Sequence, residues 1–195
     1  MGIETQTKVE IISNALILLG EKPLSSLTDD RYGATVGTNL FEQIYQNELQ
    51  SNRWRFAVAK KQCSLLVSDP LNEWENAFQI PAESLLVLGT YPSTPYEIYG
   101  DRIYSNAATC EIEYVFKPEI TELPSYFTIL LTYALARDMI KPITESDNGV
   151  QVMTQKYVMQ RDRAMYADAQ QRPNKPIRHR PFTAPRGGDS GSSRF

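Results

Sequence analysis

The hydrophobic period changes twice along this chain, and that double change limits the folds open to it. Val9, Ile12, Leu16 and Leu19 recur at helical spacing, and Tyr32, Val36, Leu40 and Ile44 form a second such row, widened by Phe41, Tyr45 and Leu49. From Trp54 the pattern shifts to alternation: Trp54, Phe56 and Val58, then later Cys110, Ile112, Tyr114 and Phe116 against Glu111 and Glu113. After Pro124 helical spacing returns with Phe127, Leu130, Leu131, Ala134, Leu135 and Met139, followed by a more polar row of Met153, Tyr157, Gln160 and Ala164. The order is two helices, a strand region, two helices.

Local signals place the ends. Thr7 and Glu10 fit a capping box opening a helix at about Lys8, while Gly20 and Pro23 close it near Leu19. Asp29 or Asp30 is the expected cap of a second helix reaching about Ser51, in which Gly33 and Gly37 permit close packing. Cys63–Val67 and Ser84–Leu88 read as strands, and Tyr96–Tyr99 with Arg102–Tyr104 flank the turn pair Gly100-Asp101. Pro142 is expected to end the third helix, and Thr144–Asp147 to start a fourth running to about Gln171. The expected fold class is α+β: a four-helix bundle with an inserted small antiparallel β region and an extended C-terminal tail. Residues 1–53 and 118–171 would form the bundle, 54–117 the β subdomain and 172–195 the tail.

Charge is distributed unevenly. The chain carries −3 overall, yet residues 172–195 hold six Lys or Arg and one acid, so the preceding 171 residues carry −8. The tail also has Pro173, Pro176, Pro181 and Pro185 and ends rich in Gly and Ser, a composition expected to stay disordered alone in water. Arg172, Lys175, Arg178, Arg180, Phe182, Arg186 and Phe195 are the candidate partner-binding residues. Basic residues with an interleaved aromatic suit a protein surface bearing carboxylates, and they also suit nucleic-acid phosphates and bases. A tail with no role is the third reading.

Catalytic chemistry finds few candidates. The one histidine, His179, lies in the tail, and neither a phosphate-binding loop nor a dinucleotide fingerprint is present. Glu111 with Glu113, Glu73 with Glu75 around Trp74, and the pair Asp29-Asp30 are possible acid–base groups, but a wet strand face, a surface loop and a helix cap account for them as well. We expect no enzyme activity, no cofactor and no metal site. Cys63 and Cys110 fit no zinc pattern; buried free thiols are the favoured reading and a disulfide the alternative. Trp54 with Phe56 reads as core in preference to an exposed contact. The longest strictly apolar run, Ala15–Leu19, is far short of the roughly 20 residues of a membrane span, and the first twenty residues do not read as a signal peptide. A cytosol-like compartment is expected.

Five segments together carry a resemblance. Asn14–Leu27, with Leu19-Gly20-Glu21-Lys22-Pro23 and then Ser26-Leu27, is similar to the opening of the tail tubular protein A family of short-tailed bacteriophages, the podoviruses. Gln50-Ser51-Asn52-Arg53-Trp54-Arg55-Phe56 resembles that family's next motif, and Ile80-Pro81 with Leu85-Leu86-Val87 its following strand. Tyr99–Ser105 is similar to its hairpin, and Leu123–Phe127 leading to Ala134-Leu135-Ala136 to its third helix. The likeness spans about residues 8–170 in order; the tail matches no motif of the family. It implies a helical bundle with a β domain. It also implies a structural virion protein made in the host cytoplasm: a head-to-tail adaptor at the portal vertex. Such a connector forms a dodecameric ring between the portal protein and the tail nozzle, a tail tubular protein B-like partner. Double-stranded DNA passes through the ring on ejection without sequence-specific binding. The alternative is a nucleic-acid-binding protein using its basic tail.

Overall fold

The computed structural model describes residues 7–67, 70 and 73–171. Helix α1 (Lys8–Leu18) begins at the expected box: Thr7 N–H donates to Glu10 Oε2 at 2.6 Å, and Glu10 N–H to Thr7 Oγ1 at 3.4 Å. It ends where Gly20 turns left-handed (φ +83°), with Glu21 N–H donating to the Leu16 carbonyl and Gly20 N–H to that of Ile17. This double closure satisfies carbonyls the helix end would otherwise leave open.

Helix α2 (Tyr32–Gln50) starts one residue beyond Arg31, and neither Asp29 nor Asp30 caps it. Asp29 instead accepts hydrogen bonds from the Arg31 backbone and guanidinium, and Arg31 also reaches the carbonyls of Lys22 and Pro23. The carboxylate serves the loop before the helix. Gly37 does what its place in the sequence implies: a Cβ there would lie 2.7 Å from Ile12 Cγ2 and 2.9 Å from Met139 Cε, so α1, α2 and the third helix meet at this point.

That third helix, α3 (Ser125–Thr144), is the spine of the helical part. Half of its twenty residues are buried, among them Phe127, Leu131, Leu135 and Met139. Pro142 sits inside its last turn, and the helix ends at Glu145 in a left-handed conformation (φ 53°). Helix α4 (Asp147–Gln170) is capped by Ser146, whose hydroxyl accepts the Gly149 N–H at 3.1 Å. Only Met153, Tyr157, Ala164 and Asp168 of its 24 residues are buried.

The helices do not form a four-helix bundle, which corrects the expectation from periodicity. A bundle requires four apolar stripes of similar reach to converge. Here α1 has 11 residues, roughly 16 Å, against 24 residues, roughly 36 Å, for α4. The α4 stripe is narrow and lies along α3. A sheet and the stretch leading into it supply the missing wall: Trp54 and Ala57, just before the first strand, and Val115 within the sheet are fully or almost fully buried in the helical core, with Leu85 and Leu88 packed beside them.

That sheet is antiparallel in the order β1 (Val58–Gln62), β7 (Glu111–Phe116), β4 (Ser84–Tyr91). A second antiparallel sheet runs β2 (Ser64–Leu65), β3 (Asn76–Gln79), β6 (Arg102–Ser105), β5 (Tyr96–Tyr99). The alternation along β7 serves two cores. Val115 points to the helices, while Ile112 and Tyr114 join Cys63, Phe78, Ile103 and Cys110 in a second cluster against the other sheet. The result is three layers, helices, central sheet and outer sheet, with the central sheet apolar on both sides.

The strand expected from Trp54 begins only at Val58, because Arg55–Ala57 form a single 3₁₀ turn. Trp54 is core: its indole N–H donates to the Glu48 carbonyl at 2.7 Å and its ring meets Phe127 edge-on at 5.2 Å. β3 had no clear signal in the sequence, since Asn76-Ala77-Phe78-Gln79 offers only two apolar residues.

Candidate functional site

The acid–base candidates are scattered rather than convergent. Glu113 pairs with Arg53, and both line an open cleft of about 350 Å³ together with Lys60 and Glu111. These groups sit where the odd-numbered face of β7 emerges from under the helices, so the same strand face that buries Val115 becomes wet and ionic. Glu75 is held through its backbone by Asn106, the Trp74 indole donates to Glu97 at 3.0 Å, and Asp29 is occupied by Arg31. No two of these carboxylate pairs face each other across a pocket. Among the described residues no group of three His, Cys, Asp or Glu is placed to hold a metal ion, and no helix is long and apolar enough to cross a membrane.

Two buried carboxylates escaped the sequence reading, and both fasten α4. Glu48 of α2 is fully buried and accepts the Tyr157 hydroxyl at Oε1, 2.9 Å away. Its Oε2 meets no hydrogen-bond donor among the described residues. Burial pushes this carboxyl above its ordinary range, against the pull of the Tyr157 hydroxyl and the Arg137 and Arg161 charges. The Arg137 guanidinium lies over the Tyr157 ring, 4.2 Å from its centre. Near the other end of α4, Asp168 accepts the Tyr126 hydroxyl at 2.9 Å and the Arg55 backbone N–H at 3.1 Å. A signal for both existed. Glu48 follows Ile44 by four residues on the buried stripe of α2, and Asp168 follows Ala164 by four on that of α4.

The opposite side of α4 carries a second apolar row. Val152, Met159 and Tyr166 recur every seven residues and are 44%, 56% and 68% exposed; Val158 and Met165 flank them. Seven residues is close to two helical turns, so the row runs along one strip of the helix. α4 thus faces its own core with four residues and leaves five large apolar ones at least 38% exposed, with the polar Gln155, Lys156, Asp162 and Arg163 between the members of the row. On another helix, Ile17 and Leu18 are exposed at the end of α1.

The seven tail residues singled out from composition, Arg172, Lys175, Arg178, Arg180, Phe182, Arg186 and Phe195, lie outside the described residues. What can be located is their point of departure, Gln171 at the end of α4. The motifs of the resemblance fall at structural junctions: Gly20-Glu21 closes α1, Gln50–Phe56 links α2 to the central sheet, and Gly100-Asp101 turns the β5–β6 hairpin. No protein-family model matches the chain, and no curated protein matches it.

Proposed function

We propose that this chain is a ring-forming head-to-tail adaptor of a short-tailed phage, seated between portal and nozzle around the DNA channel. The observation that carries the proposal is the outer face of α4, where Val152, Met159 and Tyr166 form an apolar row on the helix that leads directly into the basic segment. Repeated copies bring repeated rows. A patch on α4 that meets a different patch on the next copy, such as Ile17 and Leu18 of α1, is a heterologous contact, and such contacts make a ring where the rotation between copies closes and a filament where it does not. Weak pairwise contacts then add up around the circle.

Charge supports the same reading. A body of −8 repels phosphate, so a channel lined by its acids lets DNA slide without gripping it. The basic residues of 172–195 suit an acidic portal surface through guanidinium–carboxylate pairs. Electron microscopy of the virion tests the proposal. The density of this chain is expected between portal and nozzle; density in the capsid shell would overturn it. Salt-dependent binding of duplex DNA by the isolated monomer would favour the nucleic-acid-binding reading instead.

A further inference from the structure

We propose that Cys63 and Cys110 are a disulfide-forming pair that closes the neck of the outer-sheet segment by exchange with a low-molecular-weight disulfide. The β1–β7 pairing runs from Val58 opposite Val115 to Gln62 opposite Glu111. One step further along the same register, Cys63 stands opposite Cys110, and its N–H donates to the Cys110 carbonyl at 2.8 Å. Directly opposed residues of an antiparallel pair project to the same side. Both cysteines accordingly lie in the second core beside Phe78 and Ile103.

The spacing suits a covalent link. A hydrogen-bonded antiparallel pair has its Cα atoms about 5.5 Å apart, near the middle of the range that disulfides span. Both thiols are free. The positions in the chain are as telling as the geometry. Between Cys63 and Cys110 the polypeptide makes an excursion that holds the whole outer sheet, β2, β3, β5 and β6, and passes once through the central sheet as β4. A bond at this point ties the two ends of that excursion together.

The chemistry balances with a small disulfide as oxidant. One protein thiolate attacks a sulfur of the small disulfide, forming a mixed disulfide and expelling one small thiolate. The second protein thiolate attacks the protein sulfur of that mixed disulfide, forming the Cys63–Cys110 bond and expelling the other small thiolate. The protein gives up two protons and two electrons; the small disulfide becomes two thiols. Burial raises the Cys63 thiol to about 11 and also raises that of Cys110, so at neutral pH both are protonated and the exchange is slow. In a reducing cytosol the pair stays reduced, and an oxidising exterior drives the bond. The proposal stands on the strand register and does not depend on the adaptor reading.

The test uses the full chain equilibrated with oxidised glutathione, denatured in acid, alkylated and weighed. The expected product is a monomer that has lost two hydrogens, has no alkylatable thiol and recovers both on reduction. Its formation should quicken about tenfold per pH unit between pH 7 and 9. The oxidised form should melt roughly 5–15 °C above the reduced form, whereas Cys63→Ala/Cys110→Ala should show no oxidant-dependent change. Glutathione adducts alone, two free thiols at equilibrium, or links between chains would each overturn the pairing. An oxidised monomer no more heat-stable than the reduced one would overturn closure of the neck.

Discussion

Helices α3 and α4 are neighbours of similar length with opposite commitments. Ten of the 20 residues of α3 are buried, against four of 24 in α4, and two of those four are polar groups held by hydrogen bonds, Tyr157 to the buried Glu48 and Asp168 to the half-buried Tyr126. α3 organises the core through apolar packing. α4 is held to it by a narrow stripe and by side-chain latches, while Val152, Met159 and Tyr166 of its other side, and Val158 and Met165 between the two, remain exposed. The contrast separates residues that serve this chain's own fold from residues available to a partner.

Substitutions sharpen that contrast. The largest effect is expected at Phe127→Ala in α3, because the ring is fully buried between Trp54, Phe56 and Tyr45. Removing it should cost about 3–5 kcal/mol, read as a lower denaturant midpoint. Tyr157→Phe comes next. It deletes the hydroxyl that satisfies Glu48 Oε1 and should cost about 1–3 kcal/mol. A loss as large as that of Phe127→Ala would mean that α4 is as much a part of the core as α3.

Glu48→Gln should act in the opposite direction. The folded state holds the carboxyl above its ordinary 4.5, so folding favours the protonated form. The stability tied to that proton is complete below about pH 4.5 and is lost as pH rises through the raised value. Glutamine keeps an acceptor for Tyr157 and carries no charge. The variant should therefore gain about 1 kcal/mol at pH 7 relative to wild type, and the gain should shrink on acidification. A variant less stable at pH 7 than at pH 4, relative to wild type, would show that Arg137 and Arg161 outweigh burial at this site.

The smallest effect on folding is expected at Met159→Glu/Tyr166→Glu. Both side chains are more than half exposed, and the pair should change monomer stability by about 0.5 kcal/mol or less. Self-association should nevertheless be lost, since two carboxylates would have to be desolvated in the contact. A clear loss of stability in the monomer would place these residues in the fold and remove the contrast between the two helices.

The sequence disclosed the elements better than their assembly. The capping box at Thr7, the turn at Gly100 and the long rows of α2 and α3 are local signals with local causes. The bundle expectation failed because periodicity reports which side of a helix is apolar, not what covers it. Nothing in the row of α4 reveals that Trp54, on the stretch before β1, and Val115 of the central sheet take the fourth wall. In the same way, the alternation on β7 shows Glu111 and Glu113 on one face but not that Val115 on that face lies under the helices. The buried acids Glu48 and Asp168 were hidden by type, since carboxylates are ordinarily assigned to solvent. On α4 the row of Met153, Tyr157 and Ala164 read from the sequence is the buried one, while the second row at Val152, Met159 and Tyr166, legible at a seven-residue spacing, was passed over because polar residues stand between its members.

The claim that the outer face of α4 serves partners is tested most directly by the particle mass of the purified protein in solution, wild type against Met159→Glu/Tyr166→Glu, with portal added. The account predicts closed rings of the wild type that cap the portal, and a folded double variant that remains monomeric and leaves the portal bare. Rings of unchanged size from the double variant, or a wild type that stays monomeric beside the portal, would contradict it.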